Sequence, residues 1–129
     1  MKASTGFKMA LDAGVSAEQV TFSSDGQGSL PVFGPDGAFL GLGVGKVTSM
    51  YREMRDAVLQ DGVALEDALK PVTSNPARLL KLSQKGKIAE QADADLLLAR
   101  EDTLELLSVF AKGVLMISDT KVLVKGTFE

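Results

Sequence analysis

The residues best suited to chemistry lie in one short polar loop and are Asp25, Gly26 and Gly28. The loop follows a segment rich in β-branched and aromatic residues, Val20–Ser24, so the sequence puts Asp25 at the end of a predicted strand. In α/β sheets and barrels, substrates and catalytic groups gather at that end of a strand. A carboxylate there can ligate a metal ion or act as a general base, and the glycines let backbone approach a ligand closely.

Two other interpretations of this loop stay open. Asp25 and Gly26 also form an ordinary turn dipeptide, with Ser29 capping the loop, and such a turn needs no ligand. Gly26 and Gly28 also form a Gly-x-Gly pair of the kind that cradles phosphate. Neither a P-loop lysine nor a complete Gly-x-Gly-x-x-Gly motif follows them.

A second group of charged residues lies later in the chain. Asp93 and Asp95 flank Ala94 and suggest a metal pair, or alternatively two turn formers at the start of a strand. Lys85 and Lys87 flank Gly86 and are interpreted as a solvated turn.

The amino-acid composition excludes several kinds of catalytic and metal-binding site. The chain has 129 residues, 45% of them hydrophobic and 24% charged, which is enough for one domain with a core. It contains no histidine and no cysteine, so acting alone it cannot form a disulfide, a zinc finger, a Ser-His-Asp triad or an imidazole metal site. The net charge of -3 does not favour nucleic acid or an anionic membrane as a partner.

The apolar runs are short. The longest, such as Val114–Ile117, have four residues, far fewer than the roughly 20 of a membrane helix. The first residues lack the apolar core of a signal peptide. We therefore expect a cytoplasmic protein.

Periodicity and turn signals predict an α/β chain around these residues. We expect helices at 6–13, 47–58, 65–69 and 77–82, a strand at 20–24, a hairpin of 30–33 and 38–44, and a β-rich tail with strands at 95–98, 109–111, 114–117 and 122–124. Asn75 is predicted to cap the fourth helix, with Pro76 at its first position.

The strand at 20–24 lacks obvious parallel neighbours, which a strand of an α/β unit normally needs on both sides. Either it pairs with something outside this chain, or the sequence is a piece of a larger α/β fold.

Several motifs carry a resemblance to a known family. Residues 20–29, VTFSSDGQGS, resemble the last barrel strand and following loop of isoaspartyl (β-aspartyl) dipeptidases of the amidohydrolase superfamily, and the ending VKGTFE resembles that family's C-terminus. Residues 73–78, 86–88 and 93–96 are similar to features that many amidohydrolases share. Two positions depart from the pattern: Gln91 stands where glycine is usual, and Thr120 stands where an Asp-Gly turn is usual.

The resemblance implies a fold class and a division of the chain. The fold would be α/β, a C-terminal fragment of a metal-dependent-hydrolase (β/α)8 barrel, comprising the last strand, the hairpin and helices, plus part of a small β-sandwich. Residues 1–85 would belong to the barrel portion and residues 86–129 to the small β domain. A barrel of ~250 residues does not fit within 129 residues.

The resemblance also implies a function, the hydrolysis of β-aspartyl dipeptides at a binuclear zinc site. Asp25 would ligate one zinc and exchange a proton with the metal-bound hydroxide and then the leaving amine. Ser29 would lie near the substrate's carboxylate, and Gly26 and Gly28 would shape the loop. The family's metal-binding histidines and bridging lysine belong to earlier strands, so this chain alone is expected to be inactive and to bind no zinc.

Two further hypotheses need no chemistry in this chain. One is a non-catalytic module that assembles with copies of itself or with a separate N-terminal half. The other is an independently folded α/β domain with no family activity.

Overall fold

The computed structural model describes residues 1–125, which form two compact units, one of residues Met1–Val72 and one that begins at Thr73. Helices and antiparallel sheets occur together, and the described residues do not close a barrel. The α/β class expected from the sequence is confirmed, as a partial fold without barrel closure among the described residues. Among the described residues, no helix is long and apolar enough to cross a membrane.

The first unit contains three helices and one hairpin. Its elements are α1 (Ala3–Asp12), a 3-10 turn (Ala17–Gln19), β1 (Ser29–Phe33), β2 (Phe39–Val44), α2 (Ser49–Leu59), α3 (Leu65–Leu69) and a second 3-10 turn (Lys70–Val72). The first three predicted helices are therefore present, with α1 beginning three residues earlier than expected.

The helices of this unit share a small hydrophobic core. Phe7 of α1 and Met54 and Ala57 of α2 are almost fully buried, since each lies on the apolar stripe of its helix. The ring of Phe22 packs edge-on against Phe7 with centroids 5.5 Å apart. Burying a side chain such as Phe7 contributes about 1.5–3 kcal/mol, so this contact fixes residues just before the Asp25 loop.

Polar contacts join the same two helices. The Lys2 ammonium lies 2.9 Å from the Asp56 carboxylate, and the backbone N–H of Ser4 donates to Glu53 at 3.0 Å. These bonds tie the start of α1 to the middle of α2.

The predicted strand at residues 20–24 is wrong as a strand. Val20 has extended backbone, but the segment forms no ladder, and its Phe22 N–H donates to the Pro71 carbonyl at 3.0 Å. A strand exists only where a neighbour pairs with its N–H and C=O groups. Among the described residues nothing pairs with this segment in that way.

The predicted hairpin is confirmed. β1 and β2 pair antiparallel, with Pro31 opposite Leu42 and a register shift between Val32 and Phe33. The turn Gly34–Gly37 closes with Gly37 N–H on the Gly34 carbonyl and Ala38 N–H on the Asp36 carboxylate. Its local turn chemistry is what made the hairpin predictable.

The second unit combines one short helix with a four-stranded antiparallel sheet. Its elements are α4 (Ser74–Leu79), β3 (Leu96–Ala99), β4 (Leu106–Ala111), β5 (Val114–Ser118) and β6 (Lys121–Val122), and the sheet order is β3-β4-β5-β6. The β-rich tail is thus confirmed through Val122, whereas the end motif GTFE lies outside the described residues.

The predicted cap of α4 is wrong. Thr73 occupies the N-cap position, and Asn75 lies within the helix and is buried. The helix ends at Leu79 because Lys81 adopts a left-handed φ of 57° and Leu82 N–H returns to the Ala77 carbonyl at 2.8 Å. That closure terminates the helix before residue 82.

Candidate active site

Asp25 lies in a tight turn directly after residues 20–24. Its φ is 46° and that of Gln27 is 68°, a left-handed conformation that aspartate tolerates better than most residues. The Gly28 N–H donates to the Asp25 carbonyl at 2.8 Å. The predicted turn is therefore present, and Asp25, Gly26 and Gly28 share it.

Every backbone N–H of the turn is already engaged. Asp25 N–H donates to Ser23 Oγ at 3.4 Å and Gly26 N–H to Ser24 Oγ at 3.1 Å. Gln27 N–H donates to the Gly45 carbonyl at 3.0 Å. A phosphate cradle needs such N–H groups directed at the anion, so the phosphate-cradle interpretation of the loop is wrong.

The glycines of the loop allow close packing around the Asp25 side chain. A Cβ on Gly28 would lie 2.7 Å from the Asp25 carboxylate oxygens, and one on Gly26 would lie 2.6 Å from Val47 Cγ1. A Cβ at Gly28 would push the Asp25 carboxylate aside and one at Gly26 would displace the Val47 side chain, so the two glycines let these side chains pack as they do.

Gly45, which the sequence did not single out, anchors the turn from the end of the hairpin. Its N–H donates to the Gly28 carbonyl at 2.9 Å and its carbonyl accepts from Gln27. It is buried, and a Cβ there would overlap the Asp25 carbonyl oxygen. The GLGVG pattern at residues 41–45 was the available signal, because isolated glycines in a strand often mark close backbone approach.

The Asp25 carboxylate itself is exposed. Among residues 1–125, no cation lies within ion-pair distance of it and no donor bonds to it. Ser29 is also exposed and begins β1, where it lies opposite Val44. The Asp25 carboxylate thus has no partner among the described residues, whereas the backbone that carries it is fixed by hydrogen bonds.

A metal ion needs more ligands than this turn offers. The described part of the chain contains no group of three or more His, Cys, Asp or Glu side chains that could hold one. A protein zinc site takes three or four such ligands. The described residues therefore offer no cluster of that kind, and the Asp25 carboxylate by itself offers one oxygen ligand.

Asp93 and Asp95 face a cation instead of a ligand site. Lys85 Nζ lies 2.7 Å from Asp93 Oδ2 and also contacts Asp95 Oδ2, while the Lys112 N–H donates to Asp95 Oδ1 at 2.7 Å. Asp95 N–H bonds to the Asp93 carbonyl at 2.8 Å. The turn-former interpretation fits this geometry, and Lys85 lies in a surface turn where its ammonium pairs with both carboxylates.

These contacts shift two pKa values. Hydrogen bonds to Asp93 and Asp95 raise the pKa of Lys85. The bond from Lys85, followed by the Lys112 N–H, lowers the pKa of Asp95. Each group is held in its charged form at neutral pH, which suits an ion pair and not a proton-transferring site.

Comparisons with known proteins complete the description. The chain matches the amidohydrolase family over residues 2–124. The structure of the β-aspartyl dipeptidase from the thermophilic, keratin-degrading Fervidobacterium islandicum AW-1, in complex with the dipeptide β-Asp-Leu, is similar with a TM-score of 0.80 and 41% identity over 98% of this chain. A second structure named for that organism's β-aspartyl dipeptidase aligns with a TM-score of 0.75 and 34% identity over 97% of this chain.

A more distant likeness concerns the fold alone. N-acetylglucosamine-6-phosphate deacetylase from Thermotoga maritima aligns with a TM-score of 0.66 and 18% identity over 89% of this chain. The chain spans about a third of the length of these solved structures, 33%, 30% and 35% in the order given.

Proposed function

Because this chain belongs to the amidohydrolase family, we propose that it is the C-terminal portion of a zinc-dependent isoaspartyl (β-aspartyl) dipeptidase. The observation that carries the proposal is the 41% identity, over 98% of the chain, with a β-aspartyl dipeptidase whose structure holds β-Asp-Leu. The substrate class we propose is accordingly a β-aspartyl dipeptide, and the expected location is the cytoplasm.

Within that function, Asp25 supplies one carboxylate to a binuclear zinc site whose other ligands come from outside this chain. Support comes from the turn, which holds the Asp25 backbone through Gly28 and Gly45 and leaves the carboxylate exposed. Ser29 is proposed to lie near the substrate's carboxylate. Gly26 and Gly28 are proposed to shape the loop.

The chain by itself is proposed to be inactive, since one carboxylate cannot hold a metal pair and the sequence has no histidine. We assign no reaction step to the isolated chain. Its contribution is a positioned side chain and the loop around it.

Two assays test the function. The 129-residue chain is incubated with β-Asp-Leu and Zn²⁺, and neither hydrolysis nor stoichiometric zinc binding is expected. A chimera then carries this chain in place of the matching third of the Fervidobacterium enzyme. Hydrolysis of β-Asp-Leu by the chimera, above a blank that lacks this third, supports the proposal. Hydrolysis by the isolated chain, with bound zinc, would overturn the inactivity.

A second candidate function is assembly without catalysis, with copies of this chain or with a separate N-terminal half. The hairpin favours it, because Leu40 and Leu42 are each 68% exposed and Phe33 and Phe39 about 60%. Two-stranded hairpins are marginally stable alone, and exposed apolar patches mark interaction sites. Light scattering after size-exclusion chromatography tests self-assembly: oligomers that Leu42→Asp dissociates support it, and a monomer at all concentrations contradicts it.

A further inference from the structure

A basic pocket of about 400 Å³ lies in the unit that begins at Thr73. The role inferred for it does not rest on the proposed hydrolysis. Four residues with cationic side chains and two serines line it, together with alanine, leucine and glycine, and most of the lining surface is apolar. The polar lining residues are Ser74, Arg78, Lys81, Ser83, Lys85 and Lys87. No carboxylate lines the pocket among the described residues.

The surrounding sequence concentrates positive charge. Between Asp67 and Glu90 there is no acidic residue, although the chain as a whole has a net charge of -3. The same stretch contains five basic residues, which are Lys70, Arg78, Lys81, Lys85 and Lys87. A concave surface lined by one sign of charge concentrates the opposite ion.

The backbone that carries these side chains is held in place. Lys81 is the left-handed residue that closes α4, with its N–H on the Arg78 carbonyl at 3.2 Å. Gly86 has a φ of 75° and lies so close to the start of α4 that a Cβ would be 2.7 Å from the Thr73 carbonyl oxygen and 2.8 Å from Ala77 Cβ. The turn between Lys85 and Lys87 is therefore fixed against the helix.

The lysines differ in what they already bind. The Lys85 ammonium is fixed by ion pairs with Asp93 and Asp95. Lys81 and Lys87 are exposed, and within residues 1–125 no carboxylate lies within ion-pair distance of either. Two lysines without a carboxylate partner among the described residues thus line the pocket together with two serines.

We propose that this pocket binds a small molecule through a phosphate or carboxylate group. Lys81 and Lys87 supply the charge, and Ser74 and Ser83 supply hydrogen bonds to the anion's oxygens. A volume of about 400 Å³ falls within the range of small-molecule sites and leaves space for an organic body beside the anionic group.

Titration of the ¹⁵N-labelled 129-residue chain tests the proposal, at pH 7 and constant ionic strength, with inorganic phosphate in one arm and citrate in the other. Amide signals of the pocket, those of Ser83 and Gly86 first, are expected to shift and to saturate. Lys81→Gln combined with Lys87→Gln is expected to weaken binding about tenfold or more. The matched control, Lys121→Gln combined with Lys125→Gln, removes the same charge outside the pocket and is expected to change it less than about twofold.

The titration results separate a specific anion site from non-specific attraction to lysines. Saturable shifts in both arms support a site that recognises charge, and saturation by phosphate alone supports one that recognises the phosphoryl group. Shifts that never saturate, that spread over all lysines, or that both double variants weaken equally would overturn the pocket and indicate a diffuse ion atmosphere. Unchanged amide signals from β3 and β4, which contain none of the substituted residues, show that each variant remains folded.

Discussion

Two turns of this chain carry carboxylates, and they differ in which groups are bonded. At Asp25 the backbone is bonded at every N–H from residue 25 to residue 28, yet no cation or donor among the described residues contacts the carboxylate. At Asp93 and Asp95 the carboxylates are the groups that are bonded, with Lys85 between them. The difference separates a side chain presented to something else from side chains that stabilise their own unit.

The largest expected effect on stability concerns Gly45, the anchor of the first turn. Gly45→Ala places a Cβ against the Asp25 carbonyl oxygen, and because that atom is backbone the turn must shift. We expect a loss of about 2–4 kcal/mol in the free energy of unfolding. Urea denaturation followed by tyrosine fluorescence measures it, since Tyr51 is the chain's one tyrosine, there is no tryptophan, and Tyr51 belongs to this unit.

The control for this variant is Gly43→Ala in the same strand. Its Cβ would meet the Val32 side chain at 3.3 Å, which a small adjustment relieves. An equal loss for both variants would show that the strand, and not the contact with Asp25, sets the cost.

We expect that relieving the backbone strain at Thr120 stabilises the second unit. Thr120 has a left-handed φ of 66°, a conformation that costs a β-branched residue about 1–2 kcal/mol. Thr120→Gly is therefore expected to stabilise this unit by about 1 kcal/mol, reduced by the loss of the Thr120 hydroxyl bond to the Asp119 carbonyl. Circular dichroism during thermal unfolding checks it, and a lower melting temperature would contradict it.

The ion-paired turn is expected to respond to pH. The pKa of Asp95 is lowered in the folded chain, so the Asp95 ion pair stabilises the folded state fully above pH 3.8, the ordinary pKa of the group. This stabilisation is lost as the pH falls through the pKa of Asp95 in the folded state. The pKa of Lys85 is raised in the folded chain, so Lys85 stabilises the folded state fully below pH 10.5, its ordinary pKa. This stabilisation is lost as the pH rises through the pKa of Lys85 in the folded state.

Lys85→Met is expected to move the pKa of Asp95 upward, toward 3.8, since Lys85 is the largest cause of the shift. A carbonyl-detected NMR titration of the Asp95 carboxyl measures the change, with Lys121→Gln as control. An unchanged pKa in Lys85→Met would mean that the Lys112 N–H alone holds the carboxylate.

The smallest expected effect is at Ser24. Its hydroxyl accepts from Gly26 N–H at 3.1 Å, and water can replace that bond at an exposed turn. Ser24→Ala is expected to cost only about 0.5 kcal/mol in the same tyrosine fluorescence experiment. A loss as large as that of Gly45→Ala would give Ser24 an anchoring role.

The sequence predicted the parts of the fold that depend on local chemistry. The turn Gly34–Gly37 and the apolar stripe of α2 each lie within one short segment, so both were recognisable. The segment 20–24 has the composition of a strand, but pairing is non-local and nothing in the described chain supplies it. Gln91 and Thr120, the two departures from the resemblance, both have a left-handed φ of 66°, a conformation that glycine adopts without strain.

The candidate site divides in the same way. Asp25, Gly26 and Gly28 are close in sequence and were singled out together. Gly45 was missed because it reaches the turn across the whole hairpin. Lys85, Asp93 and Asp95 were each named, but their ion pairs were not predicted, because the two carboxylates lie eight and ten residues from Lys85. Residue type and spacing do not encode contacts of this kind.

The most direct measurement concerns Asp25 in the active chimera. Asp25→Asn keeps the size and shape of the side chain but removes its charge, and kcat/KM for β-Asp-Leu is expected to fall by about 10²- to 10⁴-fold, with an unchanged urea midpoint. Asp36→Asn, at the exposed hairpin turn where the amide oxygen can still accept from Ala38 N–H, is expected to stay within about twofold. An Asp25→Asn chimera that hydrolyses β-Asp-Leu as fast as Asp36→Asn would contradict the role proposed for this turn.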